Sequence, residues 1–303
     1  CKLSRGLGDV YKRQAEEYAK LDLIVWPESM FTETAGMVTY DEPLGMIEGW
    51  EGDLPELRQF LDQYGAVVRD RFRWVTQQVR APLLVGMAWD NYVDGEPQRF
   101  NSAVLTDAQG AIVGRYDKMH PVMFGEYIPF GNWFPWLYRL TPMPNGLTAG
   151  PDPKSFAVAG YHLAPSICFE NTVPHLMRRQ IRTLKQRGES PDLLVTVTND
   201  GWFWGSSLLD VHLACGVFRA IEFRRPLLIA ANTGFSAWID AKGQIRRQGP
   251  RRAEATLLAE VVPVAGESRY LIVGDLFAGM CLLLTTVGFV VAKWRDAQTV
   301  PGR

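Results

Sequence analysis

Ala164-Pro165-Ser166-Ile167-Cys168-Phe169-Glu170-Asn171 is the stretch on which the reading of this chain turns. It ends an apolar run over 161–167 that reads as a buried strand, and it stops on a thiol followed two residues later by a carboxylate. A side chain at such a break projects from the sheet edge, while the next backbone N–H groups point toward whatever it attacks. Free cysteine is also a common small core hydrophobe. Cys168 taken alone therefore leaves packing and catalysis both open.

Downstream of this stretch the pattern repeats. Residues 172–186 read as a helix and 192–198 as a strand that stops at Asn199-Asp200-Gly201-Trp202-Phe203. A helix over 211–223 is closed by Pro226, and 227–232 is the next strand. Residues 235–239 turn through Asp240-Ala241-Lys242-Gly243 as a hairpin, and 255–262 reads as a last strand. Upstream, Leu21-Asp22-Leu23-Ile24-Val25-Trp26 reads as a strand stopped by Pro27, and Glu28 follows at once. That carboxylate belongs either to the C-terminal edge of a sheet, where α/β proteins build their sites, or to the first turn of a helix.

Residues 55–79 carry Leu57, Phe60, Leu61, Tyr64, Val67, Val68, Phe72, Val75 and Val79 at a recurring spacing of three and four, which predicts a helix packed on a sheet. Strands follow at 83–88 and 101–106, the second turning at Asp107-Ala108-Gln109-Gly110 into a hairpin. Strands alternating with helices and interrupted by hairpins predict an α/β fold, a layered sandwich more than an open parallel sheet.

Between the hairpin and the central stretch lies Arg115-Tyr116-Asp117-Lys118-Met119-His120-Pro121-Val122-Met123-Phe124-Gly125-Glu126-Tyr127-Ile128-Pro129. Its mixture of Gly, Pro, aromatics, one Lys and one Glu fits an irregular functional loop. An aromatic, proline-rich insertion over about 130–154 follows, with Trp133, Phe134, Trp136, Leu137 and Tyr138. It reads as an exposed arm for lipid or a partner, or as a cover over the site.

The chain has 303 residues, 47% hydrophobic and 21% charged, enough for one large globular domain of about 15–265. A formal net charge of -1 gives no electrostatic case for nucleic acid, and Arg246-Arg247 and Arg251-Arg252 read as solvated turns. Cys1, Cys168, Cys215 and Cys281, and likewise His120, His162, His175 and His212, lack metal-ligand spacing, so neither metal nor cofactor is expected. Cys215 and Cys281 read as packing. The chain opens on Cys1 without an initiator Met and without a signal-peptide pattern, so it reads as a piece of a longer protein. Residues 1–14 are of open origin and carry no reading.

Residues 271–292 hold a single charge, Asp275, and otherwise only apolar, Gly and Thr positions. At 1.5 Å per residue they span roughly 33 Å, enough for a hydrocarbon core of about 30 Å. They read as a transmembrane helix. Lys293, Arg295 and Arg303 come after it, which predicts a cytoplasmic tail over 293–303 and the main domain across the membrane.

Glu28, Lys118, Glu126 and Cys168 thus all stand at strand ends or in irregular loop. A thiol near neutral pH is mostly protonated; a carboxylate can take its proton and an ammonium can steady an oxyanion. The set is chemically complete for acyl transfer without a histidine.

Trp26-Pro27-Glu28-Ser29, Tyr116-Asp117-Lys118 through Phe124-Gly125-Glu126-Tyr127-Ile128-Pro129, Ile167-Cys168-Phe169-Glu170 and Asn199-Asp200-Gly201-Trp202-Phe203 occur in the order seen in the nitrilase superfamily. Together with His212, Arg219-Ala220-Ile221-Glu222, Arg225-Pro226 and Asn232-Thr233-Gly234, the chain resembles the superfamily's membrane branch, the apolipoprotein N-acyltransferases. The resemblance covers about 20–265 and extends through the tail. It implies a four-layer αββα sandwich followed by one transmembrane helix, and a ping-pong reaction. Cys168 would take an acyl chain from a phospholipid as a thioester and pass it to the N-terminal amine of a diacylglyceryl-cysteine lipoprotein. Glu28 would be the general base, and Lys118 with the Phe169 N–H would hold the oxyanion. Glu126 would hold Lys118, and Glu170 would support the turn. The implied place is the inner membrane, with the catalytic domain on the periplasmic face.

The chain departs from the branch at Pro121-Val122-Met123, where Leu-Val-Pro is usual, and at Phe169, where Tyr is usual. The fold's first strand and a bundle of membrane helices are expected ahead of residue 15. Two rival readings use the same residues: an amidase or nitrilase hydrolysing a small C–N substrate through Glu28, Lys118 and Cys168, and an inactive membrane-tethered binding domain.

Overall fold

The computed structural model describes residues 21–299 except 30, 32–35, 132, 142–145 and 265, with side chains as far as 295. The readings made for 1–20 fall outside the described residues.

The first sheet contains β1 (Ile24–Trp26), β2 (Met37–Tyr40), β3 (Leu83–Val93), β4 (Glu96–Thr106) and β5 (Ile112–Asp117), in the order β1-β3-β4-β5 with β2 also on β3. β1 and β2 run parallel to β3, at Leu83 to Val85 and at Trp89 to Tyr92 respectively, while β4 and β5 follow as antiparallel hairpins. Helix α1 (Leu54–Val79) covers this sheet. Its start is set by sequence: Asp53 accepts from Glu56 N, the Glu56 carboxylate accepts from Asp53 N, and Pro55 occupies the first turn.

The second sheet runs β11-β10-β9-β8-β7-β6, built from β6 (Phe156–Val158), β7 (Tyr161–Ile167), β8 (Leu193–Asn199), β9 (Leu227–Asn232), β10 (Ala237–Ile239) and β11 (Ile245–Gln248). β7, β8 and β9 are parallel, and helices α2 (Pro174–Gln186) and α3 (Leu208–Phe223) make the crossovers. Pro165 has no N–H to offer, and it lies beyond Leu163, where the pairing of β7 with β6 ends.

The layering follows from the two-residue period of a strand. In β8, Leu193, Val195 and Val197 face Leu84, Ala103, Leu105 and Tyr116 of the first sheet, while Leu194 faces Met177, Ile181, Ala220 and Phe223 of the helices. The order is α1, first sheet, second sheet, then α2 with α3: the four-layer α/β sandwich expected.

Several boundaries differ from the sequence reading. β3 and β4 run on through Val93 and Glu96 as a long hairpin turning at Asp94-Gly95, because their outer parts are half-exposed and carry no apolar pattern. Residues 255–262 alternate in exposure but form no ladder with either sheet; Val261 alone reaches the core between the sheets. Arg246 and Arg247 lie in the exposed edge strand β11, not in a turn, and Cys281 is exposed.

The C-terminal apolar helix begins later than expected. Residues 271–273 belong to a short helix α4 (Arg269–Val273), whose Leu271 is buried among the α-layer side chains. Arg178 donates to the carbonyls of Tyr270, Leu271 and Ile272, and Gly274 (φ 60, ψ -137) turns the chain. Helix α5 (Leu276–Thr299) comes next, and its segment Leu276–Arg295, 20 residues, is long and apolar enough to cross a membrane and is nowhere buried. Thr285 and Thr286 return their hydroxyls to the carbonyls of Cys281 and Leu282, so these two hydroxyls are satisfied within the helix.

Candidate active site

Glu28 follows β1, Lys118 follows β5, Cys168 follows β7, and Asn199 ends β8. The two sheets bring these four strand ends to one place. Glu28, only 5% exposed, accepts from Asn101 Nδ2 at 2.5 Å through Oε1 and from Asn199 N at 2.7 Å through Oε2. Asn101 belongs to the first sheet and Asn199 to the second, so the carboxylate bridges them. Asn101 also accepts the backbone N–H of Lys118 through its carbonyl at 2.8 Å, which ties acid and amine to one residue of β4. Gly86 of β3 lets the turn approach: a Cβ there would stand 2.5 Å from Glu28 Cα.

Lys118 is 1% exposed, and its Nζ lies 2.7 Å from Glu126 Oε1. The other Glu126 oxygen accepts Val122 N at 2.7 Å, and Glu126 N donates to Val122 O at 2.7 Å. The loop thus fixes its own carboxylate before that carboxylate fixes the lysine.

Cys168 is half-buried and has φ 52, a left-handed conformation that costs a non-glycine residue about 1–2 kcal/mol. Glu170 holds the turn. Fully buried, it accepts from Ile167 N at 2.8 Å, Met119 N at 2.7 Å and His120 N at 3.1 Å, and through both oxygens from Tyr116 Oη at 2.9 and 2.8 Å. One carboxylate therefore joins the residues after Lys118 to the residue before Cys168. Phe169 turns its half-exposed ring to the surface, stacked 6.0 Å from the ring of His120.

The electrostatics follow from burial. Desolvation pushes the Cys168 thiol up to about 12, the Glu28 charge adds to this, and Lys118 and a hydrogen bond from Thr198 oppose it. Desolvation also raises Glu28, although Lys118, Asn101 and Asn199 pull the other way. For Lys118 burial is the largest single influence and lowers its pKa, but the charges of Cys168, Glu126 and Glu28 together outweigh it and raise the amine. Glu170 is raised by burial against its four donors. The resting centre holds a protonated thiol beside the Lys118 amine, with the Glu28 and Glu126 carboxyl groups about it. Sulfur can attack only as its proton leaves, and Glu28 is an acceptor made more basic by its surroundings.

The sequence-predicted residues Glu28, Lys118, Glu126, Cys168, Phe169 and Glu170 all lie in this cluster. Sequence reasoning missed Asn101, whose partner is 73 positions away, and gave no role to Tyr116, although it opens one of the quoted motifs. It also gave the histidines no role. His212 of α3 in fact lies with Nε2 3.2 Å from Cys168 O and Nδ1 2.9 Å from Asp200 Oδ1. Phe124, Phe130, Trp133 and Trp136, in the segment that follows Lys118, and Trp202 and Trp204, just after Asp200, are exposed. Among the described residues no group of three or more His, Cys, Asp or Glu could hold a metal ion.

Comparison with known proteins agrees with this architecture. Apolipoprotein N-acyltransferases are among the relatives: that of Rhodopirellula baltica is 31% identical over 292 residues (90% of this chain, 51% of its own length). That of Geobacter metallireducens is 34% identical over 263 residues (86% and 44%). The chain thus spans about half the length of the curated relatives it matches. A carbon-nitrogen hydrolase from Helicobacter pylori G27 has the same fold, with TM-score 0.56, 16% identity and coverage of 82% of this chain and 80% of its own. An amidase from Nesterenkonia sp. gives TM-score 0.51, 16% identity and coverage of 80% and 77%. The family model described as carbon-nitrogen hydrolase matches residues 7–270, most of the chain. This chain belongs to the carbon-nitrogen hydrolase family.

Proposed function

We propose that this chain carries the thiol acyltransferase centre of an apolipoprotein N-acyltransferase, moving an acyl chain from a phospholipid to the N-terminal amine of a diacylglyceryl-cysteine lipoprotein. The observation that carries the reading is the convergence of Glu28, Lys118, Glu126 and Cys168 at one end of the sandwich, in a chain 31% and 34% identical to apolipoprotein N-acyltransferases. In the first half-reaction Glu28 takes the Cys168 proton as sulfur attacks the donor's ester carbonyl. Lys118 Nζ and the Phe169 N–H receive the oxyanion, and Glu126 keeps the ammonium aimed. The tetrahedral adduct collapses, the C–O bond breaks, and Glu28 returns the proton to the departing lysophospholipid oxygen. In the second half the lipoprotein amine attacks the thioester, loses a proton to Glu28 and releases Cys168, which takes that proton back. Glu170 keeps both strand ends in register throughout.

Two features favour a lipid donor over the small amide of a hydrolase. Exposed aromatics stand in the segments that follow Lys118 and Asp200, and α5 presents an unburied apolar surface. In this reading α5 anchors the domain in the inner membrane, and Lys293 and Arg295 keep its C-terminal end cytoplasmic, with the catalytic domain on the periplasmic face. The test is trapping: the chain is incubated with phospholipid labelled in its acyl chain. A hydroxylamine-labile label present in the wild type and missing in Cys168→Ala is expected; a folded wild-type protein that takes up no label refutes the reading.

A further inference from the structure

The mechanism leaves one buried group beside the nucleophile without work. His212 is 6% exposed and Asp200 3% exposed. Nδ1 of the ring is 2.9 Å from Asp200 Oδ1, and that same oxygen accepts from Thr198 Oγ1 at 2.8 Å. His212 Nε2 reaches the carbonyl of Cys168 at 3.2 Å. The contacts form a chain that runs from Thr198 of β8 through Asp200 and the imidazole of α3 to the backbone of Cys168.

The carbonyl end of that chain matters because a peptide unit is planar and trans. The C=O of Cys168 and the N–H of Phe169 belong to one such plane and point in opposite directions. A donor that fixes the oxygen therefore fixes the direction of the N–H, and by polarising the amide it strengthens that N–H as a donor. Both neighbours of the imidazole, a carboxylate and a carbonyl, are acceptors, so the two contacts are hydrogen bonds together only with a proton on each ring nitrogen: Nε2–H then gives to the peptide oxygen while Nδ1–H is held by Asp200. The left-handed backbone of Cys168 (φ 52) would relax if nothing gripped this peptide.

We propose that His212, oriented by Asp200 and Thr198, is a positioning residue for acyl transfer: it aims the Phe169 N–H at the oxyanion by holding the Cys168 carbonyl. This rests on the acyl-transfer reading above. It separates the histidine from the thiol's proton chemistry, which is Glu28's, and predicts that steps with and without an oxyanion respond differently to its loss.

Two reagents make that comparison. With p-nitrophenyl octanoate, Cys168 sulfur attacks the ester carbonyl, p-nitrophenolate leaves and a thioester forms through an oxyanion. With methyl methanethiosulfonate, sulfur attacks sulfur, methanesulfinate leaves and no oxyanion arises. In the full chain, His212→Leu is expected to lower the p-nitrophenolate burst rate at least tenfold, against the roughly 10²–10³ lost when a whole oxyanion donor is removed. Methylthiolation of Cys168, followed by peptide mass mapping, is expected to stay within about twofold. His212→Gln, which keeps one N–H donor, is expected to recover part of the burst, and it carries the comparison should the leucine variant not fold. Equal losses with both reagents, or no loss with either, overturn the assignment. A wild-type protein that is methylthiolated but gives no burst refutes the acyl-transfer reading itself and this assignment with it.

Discussion

Glu28 is the residue at which stability and chemistry oppose each other. Burial raises its carboxyl above the ordinary 4.5, so the folded protein binds this proton more tightly than the unfolded chain does. The stabilising contribution is present at low pH and is lost as pH rises through the raised folded value; at neutral pH the carboxylate is held at a cost. Glu28→Gln is therefore expected to raise the melting temperature at pH 7 while lowering thioester formation by about 10²–10⁴, read by thermal melts and p-nitrophenyl ester bursts. Asn101 can turn its amide to suit the new side chain, and Asn199 N keeps its acceptor. The wild-type acylation rate is expected to fall on the acid side with a midpoint above 4.5. The charged members of the site were legible in the sequence because each closes an apolar strand or stands alone in an irregular loop. The parts played by Asn101, Tyr116 and His212 were not, because their partners lie 73, 54 and 44 positions away; Tyr116 and His212 stood among the quoted motifs, but nothing local says what they touch.

Among the elements, α1 shows how fully a local signal can specify structure. Its capping box, first-turn proline and apolar spacing are all in the sequence, and the helix starts where they put it. Because α1 covers the outer face of the first sheet, away from the strand ends, Asp53→Ala is expected to cost about 1 kcal/mol in urea denaturation and to leave the burst rate unchanged. The parallel strands β7, β8 and β9 were legible for a different reason: buried on both faces, they are nearly continuous apolar runs. β2 was missed because Met37-Val38-Thr39-Tyr40 buries only Met37, and the outer half of β3 and β4 because Asp90 to Arg99, beyond the buried Trp89 and Phe100, is largely half-exposed or exposed. Residues 255–262 alternate as a strand would, yet alternation reports which side is covered and says nothing of whether a neighbour is there to pair.

At the scale of the molecule, the catalytic sandwich and the apolar helix meet at α4, where Leu271 enters the core and Arg178 grips three successive carbonyls. The sequence reads as one uninterrupted apolar segment there because Leu271, Ile272 and Val273 are as apolar as the residues of α5; only packing separates the two helices. A chain ending at Gly274 keeps Leu271 and loses α5. It is expected to retain the p-nitrophenyl ester burst within about threefold and to stop floating with phospholipid vesicles in a density gradient, since roughly 20 apolar residues supply the attachment. Vesicle flotation of the shortened chain would assign the attachment to the exposed aromatic loops instead.

The carboxylate between Asn101 and Asn199 also works as a rivet. Sliding or parting the two sheets separates Glu28 from one anchor or the other. On the acyl-transfer reading, an acyl-sulfur bond is then made only while the sandwich is shut, and the same contact that readies the sulfur reports that the fold around it is whole.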